Sequence, residues 1–82
     1  MSSNNFKALR ERCGLTQGEL AVLLGVSTRT INAQEAKAEV DQVYWLALER
    51  VALFAANRRG DPMIAPANVR KEAAELVRAL VG

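Results

Sequence analysis

Leu15-Thr16-Gln17-Gly18-Glu19-Leu20-Ala21-Val22-Leu23-Leu24-Gly25-Val26-Ser27-Thr28-Arg29-Thr30-Ile31-Asn32-Ala33-Gln34-Glu35 decides the fold. It holds two helix starts. Thr16 to Glu19 is a capping box, in which Thr16 accepts from the N–H three residues on and Glu19 reaches back. Leu15 before the cap and Leu20 inside the helix form a hydrophobic staple. Ser27 is the second cap, and Val26 with Ile31 repeats the staple. These signals predict one helix from about Gln17 to Leu24 and another from about Thr28 to Ala36. Gly25 stands between them, where a sharp turn needs the left-handed backbone that glycine takes without strain.

The same punctuation extends in both directions. A helix is expected after Asn4-Asn5, with Phe6, Leu9 and Cys13 on one face and Gly14 as its stop. Val40 and Trp45 carry staple spacing again, so a fourth helix should run from Gln42 to about Ala56. Its apolar residues go nearly all round, which requires cover on more than one side. Asn57 to Pro62 reads as turn, and Met63 to Pro66 as a short extended piece or a single helical turn. A last helix should run from about Ala67 to Val81. Its stripe of Val69, Ala73, Leu76 and Leu80 is expected to cover the exposed side of the fourth helix. No strand-period alternation competes, so the class is all-α, one five-helix domain over residues 1–82.

Composition narrows the function. The 82 residues are 50% hydrophobic and 24% charged, too apolar for disorder. There is no histidine and one cysteine, Cys13. That removes histidine acid–base chemistry, the usual nucleophile–histidine sites and the common zinc sites. A single thiol closes no internal disulfide. No apolar run is long enough to span a membrane, and the polar start Met1-Ser2-Ser3-Asn4-Asn5 lacks a signal-peptide core. The expected class is a small cytoplasmic binding module, not an enzyme, with no cofactor and no metal.

Two short helices set at an angle by a glycine turn are the helix-turn-helix layout. Leu20, Leu24, Val26 and Ile31 would seal the angle, and Ala21 would allow close approach. Thr28, Arg29, Asn32 and Ala33 then face outward, and an α-helix fits the major groove of DNA. With Leu15 to Ala21, Leu24 to Ser27, Thr30-Ile31 and Glu35, the chain resembles the Xre/lambda-repressor-like helix-turn-helix family. That family includes phage repressors and Cro proteins, restriction controller proteins and many antitoxins. The likeness is strong from about Leu9 to Glu35 and looser to about Phe54.

The resemblance implies a compact lambda-repressor-like domain and a role for each matching residue. Gln17, at the start of the second helix, would contact a phosphate, with a base edge also within its reach. Ser27 would cap the recognition helix beside a phosphate. Thr28, Arg29 and Asn32 stand where the family places base readers. Ala33 is short for a base reader and would touch only a thymine methyl, or nothing. Lys37, just past the third helix, does not match the family pattern but is expected as a further DNA contact. Arg10 and Glu35 occupy the positions of a structural ion pair between the first and third helices. The partner is then double-stranded DNA, met by a homodimer acting as a transcriptional repressor. The alternative is an antitoxin, with a C-terminal half that binds a toxin protein and a helix-turn-helix that autoregulates.

Three departures from the family pattern fall together. Gln34 stands where an apolar or aromatic residue is common, Lys37 where glycine is usual, and Asp41 where proline is frequent. The loop from Ala36 to Asp41 should therefore follow its own path. Charge is uneven as well. Residues 1–41 hold five basic and five acidic side chains, whereas residues 42–82 hold six and four. Within Ser27 to Gln34 the sole charge is Arg29. Arg29 reads either as a guanine reader or as a solvated arginine, and Asn32 as an adenine reader or a polar surface residue. Arg58-Arg59 reads as a solvated turn pair or a grip on a flanking phosphate. Trp45 and Tyr44 read as core or dimer contacts rather than as stacking platforms for nucleic acid, and Cys13 as a small buried apolar residue.

Overall fold

Helix boundaries follow from local caps. The computed structural model describes residues 2–82. They form α1 (Ser3–Arg12), α2 (Gln17–Leu24), α3 (Thr28–Ala36), α4 (Gln42–Arg59), a 3-10 turn (Pro62–Ile64) and α5 (Ala67–Val81). No strand occurs among the described residues; one isolated bridge joins Ser2 and Glu39. The capping box is complete, since Thr16 Oγ1 accepts from the Glu19 N–H and the Glu19 carboxylate accepts from the Thr16 N–H. Ser27 caps α3 by accepting from the Thr30 N–H. Gly25 closes α2 at φ +72°, and its missing side chain would meet open space. The requirement there is backbone conformation rather than room.

The core lies where α1, α2, α3 and α4 converge. Phe6 and Leu9 come from α1, Leu20 from α2, Ile31 from α3, and Leu48 and Ala52 from α4, all buried. On α4 the buried set is Trp45, Leu48, Ala52 and Ala56, at spacings of three and four, which marks one face. Trp45 is therefore core, and Tyr44 is half-buried beside it. Cys13 is buried at the end of α1.

Four local expectations are corrected. α1 begins before Asn4-Asn5, because the Ser2 side chain accepts from the Asn5 N–H and the Ser3 N–H donates to the Ala38 carbonyl. α4 continues through Asn57, Arg58 and Arg59 rather than turning at Asn57. No helix breaker appears until Gly60, which takes φ +64° while the Asp61 N–H returns to the Ala56 carbonyl. Arg58 and Arg59 are consequently helical and not part of a turn.

The fourth correction is the largest. The stripe on α5 does not cover the exposed side of α4. Val69 is buried and Ala73 half-buried, but Leu76 is 62% and Leu80 75% exposed. The 3-10 turn sets the first turn of α5 against the middle of α4, where Asn68 donates to the Glu49 carboxylate at 2.8 Å. From Ala74 on, every residue is exposed, so α5 leaves the body. The Cα radius of gyration is 13.3 Å and the longest dimension 44 Å, whereas a compact chain of this length has a radius of about 12 Å.

Candidate nucleic-acid interface

One face gathers the N-terminal ends of α2 and α3. A side chain on Gly18 would stand 3.6 Å from Thr28 Oγ1, so the two helix starts are neighbours. The first N–H groups of each helix have no partner inside the helix. Two such ends side by side present amide donors and positive dipole ends to one region, which suits an anion.

Side chains bring Gln17 and Asn32 to the same face. The Asn32 Nδ2 donates to Gln17 Oε1 at 3.4 Å, and Gln17 Nε2 donates to Glu35 Oε1 at 3.0 Å. Gln17 is half-buried; Thr28, Arg29, Asn32 and Ala33 are exposed. Arg29 makes no hydrogen bond or ion pair with any described residue, so its guanidinium points its full set of donors to solvent. Ser27 is exposed, but its hydroxyl is already engaged with the Thr30 N–H and hydroxyl.

Behind this face sits an ion pair. Arg10 Nε donates to Glu35 Oε2 at 2.7 Å and a terminal nitrogen donates to Oε1 at 3.1 Å. The Arg10 side chain is 9% exposed and that of Glu35 6%. A third donation runs from Arg10 to the Leu15 carbonyl at 2.7 Å, which ties the pair to the residue before α2. Burial alone would raise the Glu35 carboxyl, but hydrogen bonds from Arg10 and Gln17 and the Arg10 charge outweigh it, and hold it below the usual carboxylate range. The Glu35 hydrogen bond likewise raises Arg10 against the cost of burial. The acidic charge of Glu35 is thus neutralised beneath the surface that α3 presents. A continuous set of contacts links Arg10, Glu35, Gln17 and Asn32.

Lys37 is not part of this cluster. It caps the opposite end of α3, about 13 Å from Thr28 along the helix axis. Its Nζ lies 3.0 Å from an Asp41 oxygen. Asp41 also accepts from the Gln34 Nε2 at 2.9 Å, and its N–H donates to Gln34 Oε1 at 2.9 Å. Gln34 is buried. The three departures from the family pattern therefore satisfy one another, and together they set the path of the loop. The Gln34 amide and the Lys37 ammonium lower the Asp41 carboxyl. The pairing of Gln34 with Asp41 was missed in the sequence; its signal was that both polar replacements flank one short loop. The neighbourhood of Gln17 and Asn32 was missed too, since it depends on the angle between α2 and α3.

Arg58 and Arg59 are both exposed. The Arg58 guanidinium lies 5.7 Å from the Phe54 ring centre. Arg59 donates to the Cys13 carbonyl at 2.9 Å. No helix among the described residues is long and apolar enough to cross a membrane.

Comparison with known proteins adds one match. A helix-turn-helix family model matches residues 6–51, which is more than half of the chain. It runs from the second turn of α1 through α2 and α3 into the middle of α4. No curated protein and no solved structure matches.

Proposed function

The chain belongs to the Xre/lambda-repressor-like helix-turn-helix family of DNA-binding regulators, and from that premise we propose a sequence-specific repressor that reads the major groove with α3. The observation that carries this reading is the outward face of α3, where Thr28, Arg29, Asn32 and Ala33 stand exposed. Arg29 is the guanine reader, through paired donation to O6 and N7. Asn32 reads adenine one turn later, and Thr28 and Ala33 line the groove beside them. Gln17 and Ser27 meet phosphates at the two helix starts. Gln17 keeps one amide N–H for this beyond the one given to Glu35. Lys37 grips a phosphate at the far end of α3 by exchanging its Asp41 partner for one.

Two copies act on two half-sites about one helical turn apart, as a homodimer. The cytoplasm is the matching compartment. Repression follows most simply from covering a promoter.

Selection from randomised duplex DNA, repeated at two salt concentrations, tests the reading. A two-fold symmetric site should be enriched, with affinity falling steeply in salt. Arg29→Ala should then cost about 1–3 kcal/mol at one base position and relax specificity there. A uniform loss over all sequences would place Arg29 on phosphate, and no enrichment at all would end the proposal.

A further inference from the structure

The buried ion pair reaches the exposed face of α3 through two amides. Arg10 donates to both oxygens of Glu35, which holds that group as a carboxylate. A carboxylate only accepts hydrogen bonds, whereas an amide has one accepting end and one donating end. Gln17 therefore turns Nε2 toward Glu35 Oε1, at 3.0 Å. The opposite orientation would set two acceptors face to face and leave both short of a donor. With its nitrogen committed, Gln17 shows Oε1 to Asn32, and Asn32 answers with Nδ2, at 3.4 Å. Each step fixes the polarity of the next, from a carboxylate side chain 6% exposed to an amide on the open face of α3.

The last step decides what Asn32 can offer a base. A free asparagine amide has two N–H donors and one carbonyl oxygen. Presented by its nitrogen alone, it gives two donors, which suit the two guanine acceptors N7 and O6. Presented by both atoms, it gives one donor and one acceptor, which suit N7 and the N6 amino group of adenine. Gln17 takes one of the two donors. What remains is one N–H and the Oδ1 acceptor, the adenine pattern. Pairing with guanine through both donors would strip Gln17 Oε1 of its donor. We propose that Gln17 and Glu35 determine specificity, by fixing the Asn32 amide so that it takes adenine over guanine without touching that base themselves. The proposal rests on the reading of Asn32 as a base reader given above. For Gln17 this positioning role is separate from its phosphate contact. Oε1 serves Asn32, and the second Nε2 hydrogen serves the phosphate.

The test is binding of the full chain to its selected site, with each of the four base pairs placed in turn at every position. Asn32→Ala identifies the position that Asn32 reads. Gln17→Met removes the amide and keeps the length. It should lower affinity for every sequence through the lost phosphate bond. It should also cut the preference for adenine over guanine at the Asn32 position about fivefold or more, the low end of what one paired amide contact carries. Preference at the Arg29 position should stay unchanged. Glu35→Gln can turn either end of its amide to Gln17, so it should cut the same preference from beneath the surface. Exchanging the two groups, Gln17→Glu with Glu35→Gln, puts a fixed acceptor opposite Asn32 again. That double variant should regain the adenine preference while its overall affinity stays low, because a carboxylate then faces the phosphate. A structural role alone would weaken all sequences alike and would not be rescued by the exchange.

A preference that Asn32→Ala abolishes and Gln17→Met leaves intact would overturn the proposal alone. No selected site, or a site indifferent to Asn32→Ala, would overturn the reading beneath it as well. Should Glu35→Gln fail to fold by circular dichroism, Gln17→Met still decides, since Gln17 lies outside the apolar core.

Discussion

α3 and α5 both turn a face to solvent, and the two faces differ in kind. On α3 the buried side holds Ile31 and Gln34, and the exposed side is polar around one arginine. On α5 the polar and apolar sides are both exposed beyond Ala73. α3 is anchored at both ends, by the Ser27 cap and by the exchange between Gln34 and Asp41. α5 is anchored at one end, through Val69, Asn68 and a donation from Arg70 to the Ala65 carbonyl. A rigid polar helix suits the reading of base edges, where position decides specificity. An apolar helix fixed at one end suits a protein surface that completes its burial.

The contrast is broken most severely by a charge in the core. Leu20 is fully buried, so Leu20→Asp should remove essentially all the folding free energy, roughly 5 kcal/mol for a domain of this length. Leu80→Asp, the same chemistry on α5, should leave the monomer's urea midpoint unchanged. Equal damage from both would mean that α5 is part of the core.

The ion pair comes next. Glu35→Ala leaves Arg10 without its partner and should cost about 3 kcal/mol. That is the low end for a buried pair, since a few per cent of each side chain reaches solvent. The pair also predicts a pH dependence. Glu35 is lowered in the folded chain, so the unfolded chain binds its proton first as pH falls. The stabilisation is complete above the ordinary glutamate value of about 4.3 and is lost as pH drops through the depressed one. The gap in thermal midpoint between wild type and Glu35→Ala should therefore be constant near neutrality and narrow in acid. A gap that persists unchanged in acid would remove electrostatics as its source.

The smallest effect is expected at the far anchor of α3. Gln34→Leu leaves the Asp41 N–H without its acceptor and should cost about 1 kcal/mol. Amide exchange at Asp41 should quicken, while the start of α3 stays protected. If protection at Thr30 falls as well, the two anchors of α3 are not independent.

Much of the first half is legible in the sequence. The helix starts at Thr16 and Ser27, the stop at Gly25 and the three staples are local signals. Each depends on residues within one turn, and the structure places the two caps and the glycine stop as read. The start of α1 and the end of α4 were less legible. The first depends on the Ser3 contact with Ala38 across the chain, and the second on whether Asn57 to Arg59 continue a helix that nothing yet breaks.

Residue periodicity determined which helices form and which side of each is apolar, because these depend on spacing along one backbone. It could not determine what lies against that side. The stripe on α5 has the pattern of a covering helix, yet its cover is set by where the 3-10 turn aims it. The same holds for Gln17 with Asn32 and for Gln34 with Asp41. These are hydrogen bonds between side chains fifteen and seven residues apart; the angle between α2 and α3 brings the first pair together, and the path of the loop between α3 and α4 the second.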